Sequence, residues 1–329
     1  MVEMTVGNLA DVSVVIVSWN TRDLLKKCLK SLFDTSRKLR LQVIVVDNAS
    51  TDGSTAMVEQ EFQKVRVLQN SANVGFARAN NQALPHCSAN LILLLNSDAV
   101  LIDHALSELT RFIRLHPDAG AVGPKLIHPR ARLRILGCGN QPTLWTVFTH
   151  FLGLSYFFRG VRFFEGIHLW IGTHDRSPRK VEWLSGACLL VRRSTIEMVG
   201  PLSEKWFMYA EDWEWCNRIH RAGWNLYHVP SAVVEHYLSA SAEQTGDACG
   251  MSLAPMRSYF IDLNKPSRLA LYIFDTCRTL GFGMRALMYS LRALANTENE
   301  VSRSWRARSR SFLQLCKGAL PWRQMKTLI

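Results

Sequence analysis

Five consecutive apolar residues, Leu91 to Leu95, run without a polar interruption into Asn96-Ser97-Asp98. Nothing in the run alternates, so it predicts a strand buried on both faces, within a sheet covered by helices on either side. The polar triplet then stands at the strand's carboxyl end, outside which open α/β sheets bind ligands. Asp98 is its only charge. A carboxylate there can hold a divalent cation through hard oxygen ligation, and the cation can hold a diphosphate. It can equally cap the helix predicted from Asp103 to Leu115, and spacing alone leaves both uses open.

The same arrangement recurs upstream. Val12 to Val17 predicts a buried strand ending in Ser18-Trp19-Asn20, and Leu41 to Val46 a second, ending in Asp47-Asn48. Between them Leu24, Leu25, Cys28, Leu29 and Leu32 keep a helical period. A weaker strand, Val65 to Leu68, precedes Asn73-Val74-Gly75-Phe76 and a helix through Ala83. Strands alternating with helices at these spacings predict an α/β fold with a mostly parallel, doubly wound, Rossmann-like sheet carrying helices on both faces. Three strands ending in polar clusters are the expected frame of a nucleotide-binding crevice. Neither GxGxxG nor GxxxxGK[ST] follows the first strand, which argues against a dehydrogenase or a P-loop enzyme. Asp47 could accept the imide N–H of uracil or thymine, and Trp19 offers a face for the base.

The chain has 329 residues and a net charge of +12, a balance that suits an anionic ligand, a nucleic acid or an anionic membrane. The excess is uneven: Met256 to Ile329 holds 13 basic and 4 acidic residues, a net +9. We therefore expect an α/β domain over residues 1–250, with an aromatic and basic insertion at about 130–180, and a basic amphipathic helical extension over 251–329. The insertion contains Trp145, Phe148, Phe151, Tyr156, Phe157, Phe158, Phe163, Phe164 and Trp170, either a local core or an acceptor or membrane surface. None of the eight cysteines stands in a CxxC pair, which predicts buried, reduced thiols in a cytoplasmic protein. No basic n-region, signal-length apolar run or spanning segment is found.

The second half supplies Tyr209-Ala210-Glu211-Asp212-Trp213-Glu214-Trp215, and His236 at the end of the last predicted strand. Three carboxylates within four residues repel one another unless a cation or substrate is near, although a helix N-terminus would ease that cost. After Gly123-Pro124 the strand–helix rhythm breaks, and it returns with Val181 to Val191, where Ser185-Gly186-Ala187 interrupts a strand pattern. Strands are then expected at Trp224 to His228 and Ala232 to His236.

Taken in order, SVVIVSWN, VVDNASTDGS, NVGFARANN, LLLNSD, WLSGACLLVRR, EDWEWCNRIHRAGW and VVEHYLSAS resemble glycosyltransferase family 2, a family of the GT-A fold, and within it the bacterial rhamnosyltransferase-like branch. The resemblance covers about residues 11–240. It implies an inverting transfer of a sugar from a UDP- or dTDP-sugar, dTDP-rhamnose first, to a glycan or lipid-linked acceptor in cell-surface polysaccharide synthesis. It also implies roles. Asp47 would read the base beside Ser18 and Trp19. Asn73, Gly75 and Asn80 would lie beneath the ribose and diphosphate, and Asn96-Ser97-Asp98 stands where the family writes DxD, with Asn96 replacing the first Asp. Asp98 and His236 would hold Mg²⁺ or Mn²⁺, Asp212 would be the catalytic base, and Trp183, Gly186 and Glu211 would face the acceptor.

The rival class is a basic protein that binds a membrane or nucleic acid without catalysis. Nucleic acid would want aromatics interleaved with basics on an exposed sheet. Here the basics lie on amphipathic helices with Trp305 and Trp322, which suits an anionic membrane and predicts a peripheral position on the inner face of the cell membrane. Arg278, Arg285 and Arg292 recur every seven residues, on one helix face, followed by Arg303, Arg306, Arg308 and Arg310. That face is expected either against the membrane or as a solvated face of helices packed on the catalytic domain.

Overall fold

The computed structural model describes residues 10–129, 134–135, 137–169, 177–237, 253–295 and 299–321. The expectations placed on residues 130–133, Trp170, Cys249 and Trp322, and the end of the VVEHYLSAS motif, lie outside these. The chain divides into two units, Met1–Gly139 with His174–Thr245, and Asn140–Thr173 with Gly246–Ile329.

In chain order the elements are β1 (Val12–Ser18), α1 (Arg22–Thr35), β2 (Leu41–Asp47), α2 (Ser54–Glu61), β3 (Val65–Gln69), α3 (Phe76–Ala83), β4 (Leu91–Asn96), β5 (Ala99–Ile102), α4 (Ala105–Leu115) and β6 (Ala119–Ile127). Next come β7 (Arg134–Ile135), β8 (Cys138–Gly139), α5 (Leu144–Phe151), α6 (Leu154–Phe157), β9 (Arg179–Val181), β10 (Trp183–Leu184), β11 (Cys188–Arg192), α7 (Arg193–Val199), α8 (Glu211–Arg221) and β12 (Asn225–His236). Three helices close the chain: α9 (Leu253–Asn264), α10 (Arg268–Leu294) and α11 (Asn299–Ala319).

The first unit is built on one sheet of order β3-β2-β1-β4-β11-β6-β12-β5. Strands β3, β2, β1 and β4 are parallel. Strand β11 enters antiparallel to both β4 and β6, β12 runs parallel to β6, and β5 is antiparallel to β12. The unbroken apolar runs make the core, with Val14, Ile16, Val45, Leu93 and Leu95 under Leu25, Leu29 and Leu32 of α1. This is the mostly parallel α/β sheet that the strand spacing predicts.

Three local expectations change. Helix α4 starts at Ala105, because Asp103 sits at φ +49°, a conformation no helix accepts. Asp98 therefore caps nothing. Val100 and Leu101 belong to β5, too short to stand out in the sequence. The two strands expected between Trp224 and His236 are one, β12, with a register break between Val229 and Val233. Pro230 lies in that break, where its missing N–H costs no ladder bond.

In the second unit α10 runs from the Ser267 cap, whose hydroxyl accepts from the Ala270 N–H at 3.2 Å, to Leu294. Its arginine face turns inward, which corrects the expectation that it meets membrane or solvent. Arg278 is fully buried and ion-paired to Asp275, which also accepts from Arg257. Arg285 donates to the carbonyls of His150 and Phe151 on α5 at 3.1 Å. Only Arg292, over the Trp305 ring, remains exposed. Among the described residues no helix is long and apolar enough to cross a membrane, and the seven described cysteines are free.

Candidate active site

Parallel register sets the polar strand ends level. Ser18 pairs with Asp47, Asp47 with Gln69, and Val17 with Asn96. Behind this edge a buried hydroxyl chain runs from Ser18 Oγ to Thr21 Oγ1 at 3.0 Å and on to Ser97 Oγ at 2.8 Å, tying the end of β1 to the loop after β4. The Trp19 ring is half-buried. Asn20, at φ +50°, accepts from the Thr51 N–H at 2.7 Å and so links the loops after β1 and β2.

Asp47 is 1% exposed. Its Oδ2 accepts from the Ser50 N–H at 3.0 Å, while its Oδ1 is buried without a partner. A carboxylate oxygen left so is costly unless a ligand supplies the donor. Asn48 braces the next loop: its amide donates to Asn73 Oδ1 at 3.1 Å and to the Gly75 carbonyl at 3.3 Å, and its oxygen accepts from Asn70 at 2.8 Å. Gly75 has φ +86°, and a Cβ there would lie 2.6 Å from the Phe207 carbonyl oxygen, to which the Phe76 N–H donates at 3.0 Å. Only glycine fits. Asn80 is buried but bonds within its own helix, to the Phe76 carbonyl at 2.9 Å.

Across the sheet, β12 pairs with β5 so that His236 lies opposite Ala99. That register brings His236 Nε2 to 3.0 Å from Asp98 Oδ1 and 3.2 Å from the Asn96 side-chain nitrogen. One nitrogen cannot donate to Asp98 and accept from Asn96 at once. His236 Nδ1 and Asn96 Oδ1 are also buried and unpartnered. A carboxylate, an imidazole and a spare amide oxygen form a donor set that suits a hard divalent cation sharing its remaining positions with phosphate oxygens. Among the described residues no group of three or more His, Cys, Asp and Glu side chains is arranged to hold a metal ion.

The third wall comes from the break between β10 and β11. The Asn96 N–H donates to the Ala187 carbonyl at 2.9 Å, which sets Ser185-Gly186-Ala187 beside the end of β4. The Gly186 N–H donates to Asp212 Oδ2 at 3.0 Å and the Trp213 N–H to Asp212 Oδ1 at 2.9 Å. A Cβ on Gly186 would meet the Phe76 ring at 3.2 Å and Asp212 Cβ at 3.6 Å. Helix α8 opens directly after Tyr209 and Ala210, at φ +70° and +76°. Two consecutive non-glycine residues in that region store strain, which persists where the surroundings hold a site in place. Trp183 is buried, its ring 5.1 Å from that of Trp213.

Glu211 and Asp212 share the helix start but differ in surroundings. Burial, and then the neighbouring Asp212, push Glu211 from 4.5 up to about 8, against weaker help from the N–H groups of Glu211 and Tyr209. Its Oε2 has no partner. Burial also raises Asp212, but the N–H groups of Gly186 and Trp213 work against that by stabilising its anion. Burial thus raises both carboxyls, and two backbone N–H groups oppose that rise at Asp212. The structure sets Ser18, Asp47, Asn73, Gly75, Asn96, Ser97, Asp98, His236, Gly186 and Asp212 around the ends of β1, β2 and β4, while Asn80 bonds only within its own helix. Sequence reasoning missed Asn70 and Phe207, read Thr21 only as a cap for α1, and gave Asn48 no role of its own. The amide chain from Asn70 through Asn48 to Asn73 is visible only once β2 and β3 pair.

Residues 13–166 match the model of the family described as Glycosyl transferase family 2. The chain is 29% identical over 320 residues to N-acetylglucosaminyl-diphospho-decaprenol L-rhamnosyltransferase of Mycobacterium tuberculosis, covering 90% of this chain and 94% of that one. It is 22% identical over 257 residues to dTDP-rhamnosyl transferase RfbF of Shigella flexneri, covering 76% and 77%. Among solved structures, the mannosyltransferase PcManGT of Pyrobaculum calidifontis, in complex with GDP-Man and Mn²⁺, superposes with a TM-score of 0.54 at 16% identity, covering 95% of this chain and 88% of that one.

Proposed function

We propose that this chain, which has the GT-A fold and whose residues 13–166 match the family 2 glycosyltransferase model, is an inverting, metal-dependent rhamnosyltransferase that works at the crevice formed by Asp47, Asp98, His236 and Asp212. One observation carries the reading. Asp212 is held by two backbone N–H groups beside the buried carboxyl of Glu211, at the same sheet edge as the unsatisfied oxygen of Asp47.

The donor is a dTDP- or UDP-sugar. Asp47 Oδ1 accepts the imide N–H of the pyrimidine, and the ring of Trp19 covers its face. Asn73 and Gly75, held by Asn48, shape the loop under the ribose and diphosphate. A divalent cation held by Asp98 and His236, with Asn96 beside it, would offset the charge that develops on the leaving diphosphate. The acceptor hydroxyl lies beside the Asp212 carboxylate, which the Gly186 N–H holds in place. As that oxygen attacks the anomeric carbon, Asp212 takes its proton, the bond to the diphosphate breaks, and the configuration inverts. Glu211, protonated and adjacent, keeps the acceptor side from carrying two charges. Trp183 packs beneath this corner.

The Shigella relative's name supports dTDP-rhamnose as donor, and the mycobacterial relative's name supports a prenyl-diphosphate-linked N-acetylglucosamine acceptor. The first unit would carry the reaction. The test is Asp212→Asn, assayed for transfer from dTDP-rhamnose to a prenyl-diphospho-N-acetylglucosamine and, separately, for dTDP affinity by calorimetry. Transfer should fall by at least about 10³-fold with affinity nearly unchanged. Transfer near the parent rate would remove Asp212 from the mechanism.

A further inference from the structure

Helix α10 presents a second face that the arginines do not touch. Leu269, Leu280, Met284, Leu287, Leu291 and Leu294 recur at helical spacing, and all are exposed, Leu287 at 62% and Leu294 at 78%. Between Leu269 and Leu291 no charged residue of α10 is exposed. The helix spans 27 residues, so the stripe extends roughly 40 Å. The other faces are accounted for among the described residues. Gly281, Phe282 and Arg285 pack on Phe151 of α5, and Asp275 and Phe274 pack on Arg257 and Phe260 of α9.

Helix α11 covers a third face and adds charge beside the stripe. Ser302, Ser309 and Cys316 point at α10, donating to the carbonyls of Ala293 at 2.8 Å, Ala286 at 2.9 Å and Thr279 at 3.4 Å. On one flank of that line Trp305 and Phe312 stack on Tyr289 at 5.4 and 5.5 Å. Tyr289 lies on the side of α10 away from Leu280, Leu287 and Leu294. The opposite flank of α11, carrying Arg303, Arg306, Arg310 and Lys317, therefore borders the stripe, and all four are exposed.

We propose that this face of the second unit is a docking surface for a bilayer containing anionic lipid: α10 lies in the interfacial plane with its uncharged stripe among the acyl chains, and the basic flank of α11 meets the headgroups. A long uncharged apolar stripe edged by a row of cations matches the layering of such a surface, apolar within and anionic at the rim. A second copy of the chain would bring a like row of cations to the contact. The surface is read from the second unit alone and does not depend on the catalytic assignments.

The test is co-sedimentation of the full chain with vesicles of phosphatidylcholine, alone or mixed with phosphatidylglycerol. The parent should bind the mixed vesicles, and Leu280→Glu/Leu287→Glu should lower that partition by more than about tenfold. Arg303→Glu/Arg306→Glu/Arg310→Glu should remove the preference for mixed over neutral vesicles. Unchanged dTDP affinity and near-ultraviolet circular dichroism would show each variant folded; a gentler pair, Leu280→Gln/Leu287→Gln, covers a misfolded one. A parent that stays in the supernatant would overturn the proposal, as would variants that sediment like the parent. So would a dimer that Leu280→Glu/Leu287→Glu dissociates in a protein that binds neither vesicle, since a second copy would then cover the stripe.

Discussion

Replacing Glu211 with glutamine should make the protein more stable, and only above a definable pH. In the unfolded chain this carboxyl loses its proton near 4.5; in the folded protein burial and Asp212 hold the proton until about 8. Between those values folding must take up a proton, so this group's contribution to stability is complete at low pH and declines as pH rises through the window, levelling off above it. At about 1.4 kcal/mol per pH unit the interval caps the loss near ~5 kcal/mol. Asp212, which responds to the same proton, brings the expected figure down to ~2–4 kcal/mol. Glutamine carries no titrating proton and keeps the shape. The assay is urea denaturation of parent and Glu211→Gln at matched ionic strength, near pH 5 and near pH 8. The two should agree to within ~1 kcal/mol at the lower pH, with the variant ahead at the higher one. A difference that stays constant between the two pH values would refute the claim that burial holds a proton on Glu211. The acid and base assignment at the head of α8 would go with it.

Two further outcomes follow from the crevice. Asp98→Ala and His236→Ala should each weaken Mn²⁺-dependent binding of the nucleotide by at least about tenfold, measured by calorimetry with and without the metal; full Mn²⁺ dependence in His236→Ala would leave that side chain a structural partner of Asp98. Gly75→Ala should cost ~1–3 kcal/mol, because it combines φ +86° with a Cβ only 2.6 Å from the Phe207 carbonyl. Its donor KM should rise more than its kcat falls, and a variant with parental stability and KM would show that the loop yields.

Much of the first unit was legible because its strands are buried on both faces. Leu91 to Leu95 and Val12 to Val17 admit no amphipathic reading, and parallel pairing then puts their polar ends at one edge whatever the loops do. Antiparallel β11 was harder. The WLSGACLLVRR stretch reads as one interrupted strand, but its direction depends on pairing with Leu91 to Leu95, which nothing local encodes. The single β12 reads as two strands, separated at Val229-Pro230-Ser231. In the structure Pro230 sits at a register break, where a proline is tolerated.

In the site, the residues that touch through sequence-local geometry were readable, and those that meet across the sheet were not. Asp212 and Glu211 announce themselves as a crowded acidic helix start. That their surroundings differ depends on the Gly186 N–H, 26 residues upstream of Asp212 in the chain. The heptad of Arg278, Arg285 and Arg292 shows the opposite failure. Periodicity places the three on one face correctly, yet it carries no information about whether that face is wet. A buried arginine needs a partner, and Arg278 has Asp275 one turn away on the same helix. The sequence contains that pair at i and i+3, the spacing at which a salt bridge can travel inward with its helix. Once Arg278 and Arg285 are accounted for by Asp275 and by the α5 carbonyls, and Arg292 by the Trp305 ring, the leucines at 280, 287, 291 and 294 are left as the outer face. A helix whose charged side is satisfied inside its own unit has its apolar side free to meet something other than protein.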